Sequence, residues 1–230
     1  SPIHSIFVPN SKSGDINLSY GLSVAYELSE KLSIRSGINK VDYGYDTNEI
    51  EFTSAVAASN SLVGNTNSGQ IDNISYTARS QGLIVTSKAG NTAAPQKESL
   101  ALDVAGKSTS RDGVMAQQFG YVEVPVELDY ALLDKRFGIN LIGGVSSLFL
   151  VDNSVSLSSE GLTAEMGEAS NLNSVNFSGN VGFGVNYKFT PQVRLNIEPV
   201  FKYQLNTFSN ADGTFQPFSV GVYSGLSFRF

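Results

Sequence analysis

Few stretches of this sequence carry residues at spacings that could do chemistry. Ala101 to Ser108, ALDVAGKS, satisfies a relaxed phosphate-loop pattern if Ala101 stands at the first glycine. Such a loop works between a buried strand and a helix, where backbone N–H groups converge on phosphate oxygens. Here TSRDG follows inside a polar stretch, so the match reads as chance. Gly179 to Gly184, GNVGFG, is not a dinucleotide fingerprint either, because it lies inside an alternating strand pattern. Gly182 and Gly184 read instead as space left for long neighbours.

Acid–base chemistry fares no better. The single histidine is His4, at the start of the sequence, and hydrolase-type catalysis at a barrel rim needs a His base beside Ser or Asp. Glu123 and Glu127 are spaced to titrate as a pair, but paired interior acids are usually structural. Asp152, Glu160, Glu165 and Glu168 lack the ordered ligand spacing of a Ca²⁺ loop. Cysteine is absent, which removes thiol chemistry and Cys-based zinc sites. A net charge of −6 opposes nucleic-acid binding, which requires a basic face. Neither an enzyme nor a cofactor is expected.

What remains is the scaffold, and its pattern is strong. From Val175 to Phe189 the odd positions read Val, Phe, Gly, Val, Phe, Val, Tyr, Phe and the even ones Asn, Ser, Asn, Gly, Gly, Asn, Lys. Period two means a strand with one apolar and one polar face. The same alternation predicts strands at Ile16–Leu28, Leu32–Tyr45, Tyr121–Leu132, Arg136–Val151, Val193–Leu205 and Phe218–Phe230. In the second of these the apolar set changes parity, from Leu32, Ile34 and Ile38 to Val41, Tyr43 and Tyr45, which predicts a β-bulge near Gly37 to Lys40. Pro125 and Pro199 sit mid-strand and each predicts a local bulge.

The connections alternate in length. Residues 29–31, 133–135 and 190–192 make tight turns, whereas the other three connections are long, the longest over residues 46–118. That insertion, rich in Ser, Asn, Ala, Thr and Gly, is expected to be a long external loop within a single 1–230 domain. Its runs ISYTARS and GLIVTSK are candidates for a hairpin.

Four features point the apolar face outward, toward lipid. The strands exceed the roughly 9 to 11 tilted residues that cross a bilayer. Aromatic pairs Phe137 with Phe149, Phe177 with Phe189, and Phe218 with Phe230 are each twelve residues apart. That is about 30 Å along a tilted strand, the separation of girdles flanking an apolar band. The polar face is mostly Asn, Ser and Gly, where a solvated exterior would be denser in Lys and Glu. Short turns alternate with long loops, as on the inner and outer sides of outer-membrane barrels. Glu27, Arg35, Glu123, Glu127, Asp129, Arg136, Lys188, Arg194, Glu198, Lys202 and Arg229 all fall on the polar face by parity, as a lumen charge network requires. The sequence thus predicts an all-β, antiparallel up-and-down transmembrane β-barrel of eight strands, the first truncated or partly formed by residues 1–9. The opening Ser1-Pro2-Ile3-His4 reads as the interior of a longer precursor, with the eighth strand largely upstream. The rival architecture is a soluble lipocalin-like barrel with the apolar face inside, and the rival activity is a small-solute channel.

GLSVAYELSEKLSIRSGINKVDYGY, GYVEVPVELDYALL, IEPVFKYQLNTF and the closing GLSFRF resemble the outer-membrane β-barrel domain of Bacteroidota, a relative of small OmpX-like and PorT-like barrels. The resemblance fails over residues 46–118. It implies an outer-membrane location, lipid as the surrounding partner, and a structural, adhesive or envelope-signalling role exercised through the loops or an N-terminal region, with envelope proteins as partners. Val222, Leu226, Phe228 and Phe230 are similar to the C-terminal signal read by the barrel-assembly machinery. Some members of the family carry the barrel behind an anti-sigma segment.

Overall fold

The computed structural model describes residues 7–54, 71, 73–80, 83–89, 111–209 and 217–229. They form one antiparallel sheet of eleven strands: β1 Lys12–Gly14, β2 Tyr20–Glu27, β3 Leu32–Ser54, β4 Ile74–Tyr76, β5 Leu83–Ser87, β6 Arg111–Asp134, β7 Phe137–Ser159, β8 Leu162–Ala169, β9 Val175–Lys188, β10 Val193–Gln204 and β11 Phe218–Phe228. Seven of these make a continuous meander, β2-β3-β6-β7-β9-β10-β11, and correspond to the seven strands read from periodicity. Of the four short ones, β1 and β5 attach along the upper part of β3, β8 attaches to the upper part of β7, and β4 to β8.

Eleven strands, not eight, is the first correction, and the second is that the sheet does not close. β2 and β11 are its edges, and they do not pair with each other. Both run from the long-loop end to the short-turn end, so direct pairing would be parallel in an otherwise antiparallel sheet. Every described residue of β2 is exposed, on both faces. Residues 7–9 do not contribute a spanning strand. Phe7 to Asn10 form a turn, closed by Asn10 N–H donating to the Phe7 carbonyl at 3.2 Å, and the Phe7 ring is fully buried.

The bulge expected at Gly37 to Lys40 is absent. The β2–β3 ladder runs without a slip from Tyr20↔Lys40 to Glu27↔Ser33. Parity changes in β3 because its surroundings change, not its register. Below Val41 the apolar residues of β3 face outward; above it Val41, Tyr43 and Tyr45 face inward. β6 does the same: Val126, Leu128 and Tyr130 are exposed, while Met115, Phe119 and Tyr121 are buried on the opposite parity. The register slip lies in β7, where Tyr121 pairs Leu150 but Gly120 pairs Asp152, leaving Val151 as the extra residue. That bulge moves the inward set of β7 from even positions (Asn140, Ser146, Leu148) to odd ones (Val155, Leu157). Further slips lie between Ala131 and Leu133 in the β6–β7 ladder, between Val155 and Ser156 in the β7–β8 ladder, and in β3 between Thr47 and Ile50, where Glu49 stands at φ 58°.

The molecule therefore has two storeys built on the same strands. In the lower one the outward face is apolar over Val122 to Leu132 of β6, about 25 Å at roughly 3.3 Å per residue and 40° tilt, matching the height of a membrane barrel's apolar band. The upper one encloses an apolar core of Phe7, Ile50, Val85, Met115, Phe119, Leu157 and Met166. Charged side chains mark the boundary. Lys40 pairs Asp42 at 2.5 Å, and both converge with Asp152 on the outer surface of Gly120. This resolves Lys40, which would face hydrocarbon if the apolar band extended this high.

Neither proline makes a bulge. β6 keeps one register from Ser36↔Val126 to Asn39↔Glu123, with the ladder to β3 interrupted at Pro125, whose carbonyl accepts the Ser36 hydroxyl at 2.8 Å. β10 likewise keeps register with β9 across Pro199, from Ile197↔Val185 to Val200↔Gly182. A missing N–H removes one ladder bond but does not require an extra residue.

The 46–118 insertion is part strand. Asp46 to Ser54 continue β3 and Arg111 to Gln118 open β6. ISYTARS and GLIVTSK do not pair with each other: β4 pairs β8, and β5 pairs β3. His4, Phe230 and ALDVAGKS lie outside the described residues.

Candidate functional site

β9 shows which way the faces point. Phe177, Val181, Phe183 and Val185 are 42–61 % exposed, whereas Asn176, Ser178, Asn180 and Asn186 between them are 0–6 % exposed. A polar interior and an apolar exterior invert the usual order of a protein in water. Gly182 and Gly184 stand on the interior side, where an added Cβ would lie 2.9 Å from Val200 Cγ2 and 3.0 Å from Asn140 Nδ2 respectively. Both make room for a neighbour.

The interior is filled by paired charge. Arg35, on β3, donates through Nη1 to both Glu198 oxygens at 2.8 Å and through Nη2 and Nε to Glu127 Oε2 at 2.8 and 3.1 Å. Glu198 sits on β10, four ladders away in the sheet, so this contact records how far the sheet curls. Above it Lys202 donates to both oxygens of Glu123 at 2.5 and 2.7 Å, with side-chain exposures of 6 % and 0 %. Lys202 also lies 5.0 Å over the Tyr223 ring. Carboxylates left with spare lone pairs are served by amides: Asn180 donates to Glu127 at 3.1 Å and to Ser146 at 2.6 Å, Asn140 to Asp129 at 2.7 Å, and Asn186 to Asn140 at 2.7 Å. Such burial is tolerated because each ion has an opposite partner and hydrogen bonds to its remaining sites. Tyr121 and Leu148, both fully buried, close the top of this layer.

The eleven charges assigned to the polar face divide into two groups. Arg35, Glu123, Glu127, Glu198 and Lys202 form the interior network, with Asp129 just below. Glu27, Lys188, Arg194 and Arg229 sit at the short-turn mouth instead. There Arg229 pairs Glu27 at 2.6 Å in an exposed contact, and Lys188 pairs Asp134 at 2.5 Å. The Lys188 ammonium holds the Asp134 carboxyl below the usual carboxylate range. Arg136 lies at the same mouth, its guanidinium 5.4 Å over the ring of Tyr187.

The aromatic residues gather at two heights on the outer surface. Phe137, Tyr187 and Phe189 cluster at the short-turn end, with ring centroids 4.8 and 5.1 Å apart. Phe201 stacks on Phe218 at 5.8 Å toward the long-loop end, where Phe149 and Phe177 are also exposed. Val222, Leu226 and Phe228 are exposed along the outer face of β11. Tyr187, Phe201 and the interior asparagines were overlooked as site residues, although strict alternation in β9 and β10 carries the signal for all of them.

No described group of His, Cys, Asp or Glu is arranged to hold a metal ion. What the site offers is a filled, polar-lined and apolar-coated cylinder segment, the property of a membrane β-barrel. The chain belongs to the outer membrane protein β-barrel domain family, whose model matches residues 9–208. Its location is accordingly the outer membrane, with lipid around the apolar face. Neither a curated protein nor a solved structure matches the chain. The family is typically structural or transport-related and non-enzymatic.

Proposed function

We propose that this protein is a non-conducting barrel that holds a β-structured platform above the outer membrane, with a structural or adhesive role exercised by that platform and its loops. The observation that carries this reading is the continuity of β3, β6 and β7, which run 23, 24 and 23 residues from the lipid-facing storey into one with its own apolar core. Two storeys on unbroken strands transmit position rigidly, as a presenting scaffold must. The small-barrel subtype, similar to OmpX-like and PorT-like proteins, belongs to this reading. The exposed apolar positions Val222, Leu226 and Phe228 support recognition by the barrel-assembly machinery. Envelope signalling with an anti-sigma partner is a narrower version that rests on family resemblance alone.

The interior, where Arg35, Lys202 and their carboxylates meet below Tyr121 and Leu148, favours this reading over a channel. The lipocalin-like alternative fails on the exposed apolar face of β9. Reconstituted into planar bilayers, the full chain is expected to show no unitary conductance, whereas steady single-channel steps would overturn the non-conducting reading.

A further inference from the structure

The short-turn mouth carries a pocket of about 450 Å³ whose lining is divided between cations and apolar groups. Arg136, Lys188, Arg194 and Arg229 line it together with Phe189, Thr190 and Pro191 of the turn between β9 and β10. Lys188 and Arg194 are direct cross-strand partners, an arrangement of like charges that is unfavourable by itself. Asp134 matches Lys188 and Glu27 matches Arg229. Asp134 and Asp129 both lie within electrostatic reach of Arg194, but among the described residues no carboxylate comes to salt-bridge distance of Arg136 or Arg194. The chain as a whole carries −6, so four cations converging on one pocket, two of them outside any salt bridge among the described residues, run against its overall charge.

From this geometry we infer that the pocket binds the phosphodiester headgroup of an anionic phospholipid in the leaflet at the short-turn end. Arg136 and Arg194 supply planar donors to phosphate oxygens. Phe189 and Pro191 present an apolar wall to the glycerol and upper acyl chain. Such a wall is of no use to a free phosphate ion, and this favours the lipid as the source of the anion. Tyr187 and Phe137, against which Arg136 and Phe189 pack, set the pocket at headgroup depth, where aromatic rings settle.

The inference rests on the membrane-embedded reading, and the test separates the two. Full-length protein is folded in nanodiscs of phosphatidylcholine containing a minor fraction of phosphatidylglycerol, and lipid retained after release is counted by native mass spectrometry. Wild type is expected to retain one phosphatidylglycerol with an enrichment of about twentyfold, roughly fivefold for each of two basic side chains. Arg136→Gln/Arg194→Gln is expected to abolish that enrichment. Lys31→Gln/Lys135→Gln, which removes the same charge from neighbouring turns, is expected to keep it. Equal retention of both lipids by wild type, equal loss in both double variants, or full displacement of the lipid by millimolar inorganic phosphate would overturn the proposal. Failure of wild type to insert into nanodiscs at all would instead overturn the membrane reading.

Discussion

Lys202→Ala is expected to destabilise the folded barrel by about 3–5 kcal/mol, the range for removing one partner of a buried ion pair. Glu123 has no exposed side-chain surface, and its other contact is Asn39 Nδ2 at 3.4 Å, so the substitution leaves a carboxylate with almost no compensation. The cost comes from stranding Glu123 more than from losing an attraction. Lys202→Met/Glu123→Leu should therefore recover most of the loss, since apolar replacement of a whole buried pair is often neutral or better. Arg229→Ala breaks a pair with exposures of 57 % and 54 %, and its effect is expected to stay below about 1 kcal/mol. Denaturant titration of protein folded into phosphatidylcholine vesicles, followed by circular dichroism, measures all three. Equal losses for Lys202→Ala and Arg229→Ala would show that the interior is wet and the network weak.

Val181→Arg is expected to cost about 2–4 kcal/mol in the same vesicles, the penalty for a guanidinium near the bilayer midplane on a barrel's lipid face. Val181 lies mid-strand in β9, 61 % exposed, between Phe177 and Val185. Gln118→Arg places the same side chain on the outer face of β6 just above the Lys40–Asp42 boundary, and should change stability by no more than about 0.5 kcal/mol. The contrast matters because both positions are exposed and neither substitution removes a packed contact. Only the medium differs. A penalty of similar size at both sites would place the boundary higher than Lys40, and none at either would remove lipid from the account.

The lower storey was legible because lipid and a filled polar interior select opposite residues at every step, so the seven strands of the meander could be read from period two alone. The upper storey was not. A change of parity has two physical causes, a slipped register or a changed solvent, and the pattern in β3 is identical for both. The true slip, at Val151, is silent in sequence because Leu150 and Val151 are both apolar, and either can take the outward position. The charge pairs were legible as a set but not as partners, since Arg35 meets Glu198 only through the curl of the sheet.

One set of strands faces hydrocarbon outward below Lys40 and encloses an apolar core above it. The native chain has no cysteine, so single cysteines carry spin labels without background. Labels scanned along residues 177–185 of β9 and 155–158 of β7, in reconstituted vesicles, report collisions with oxygen and with a water-soluble nickel chelate. The predicted result is oxygen accessibility peaking at 177, 181, 183 and 185, shielding from both reagents at 155 and 157, and chelate accessibility at 156 and 158. Chelate reaching 181 and 183 as freely as 156, or no alternation along β9, would contradict it.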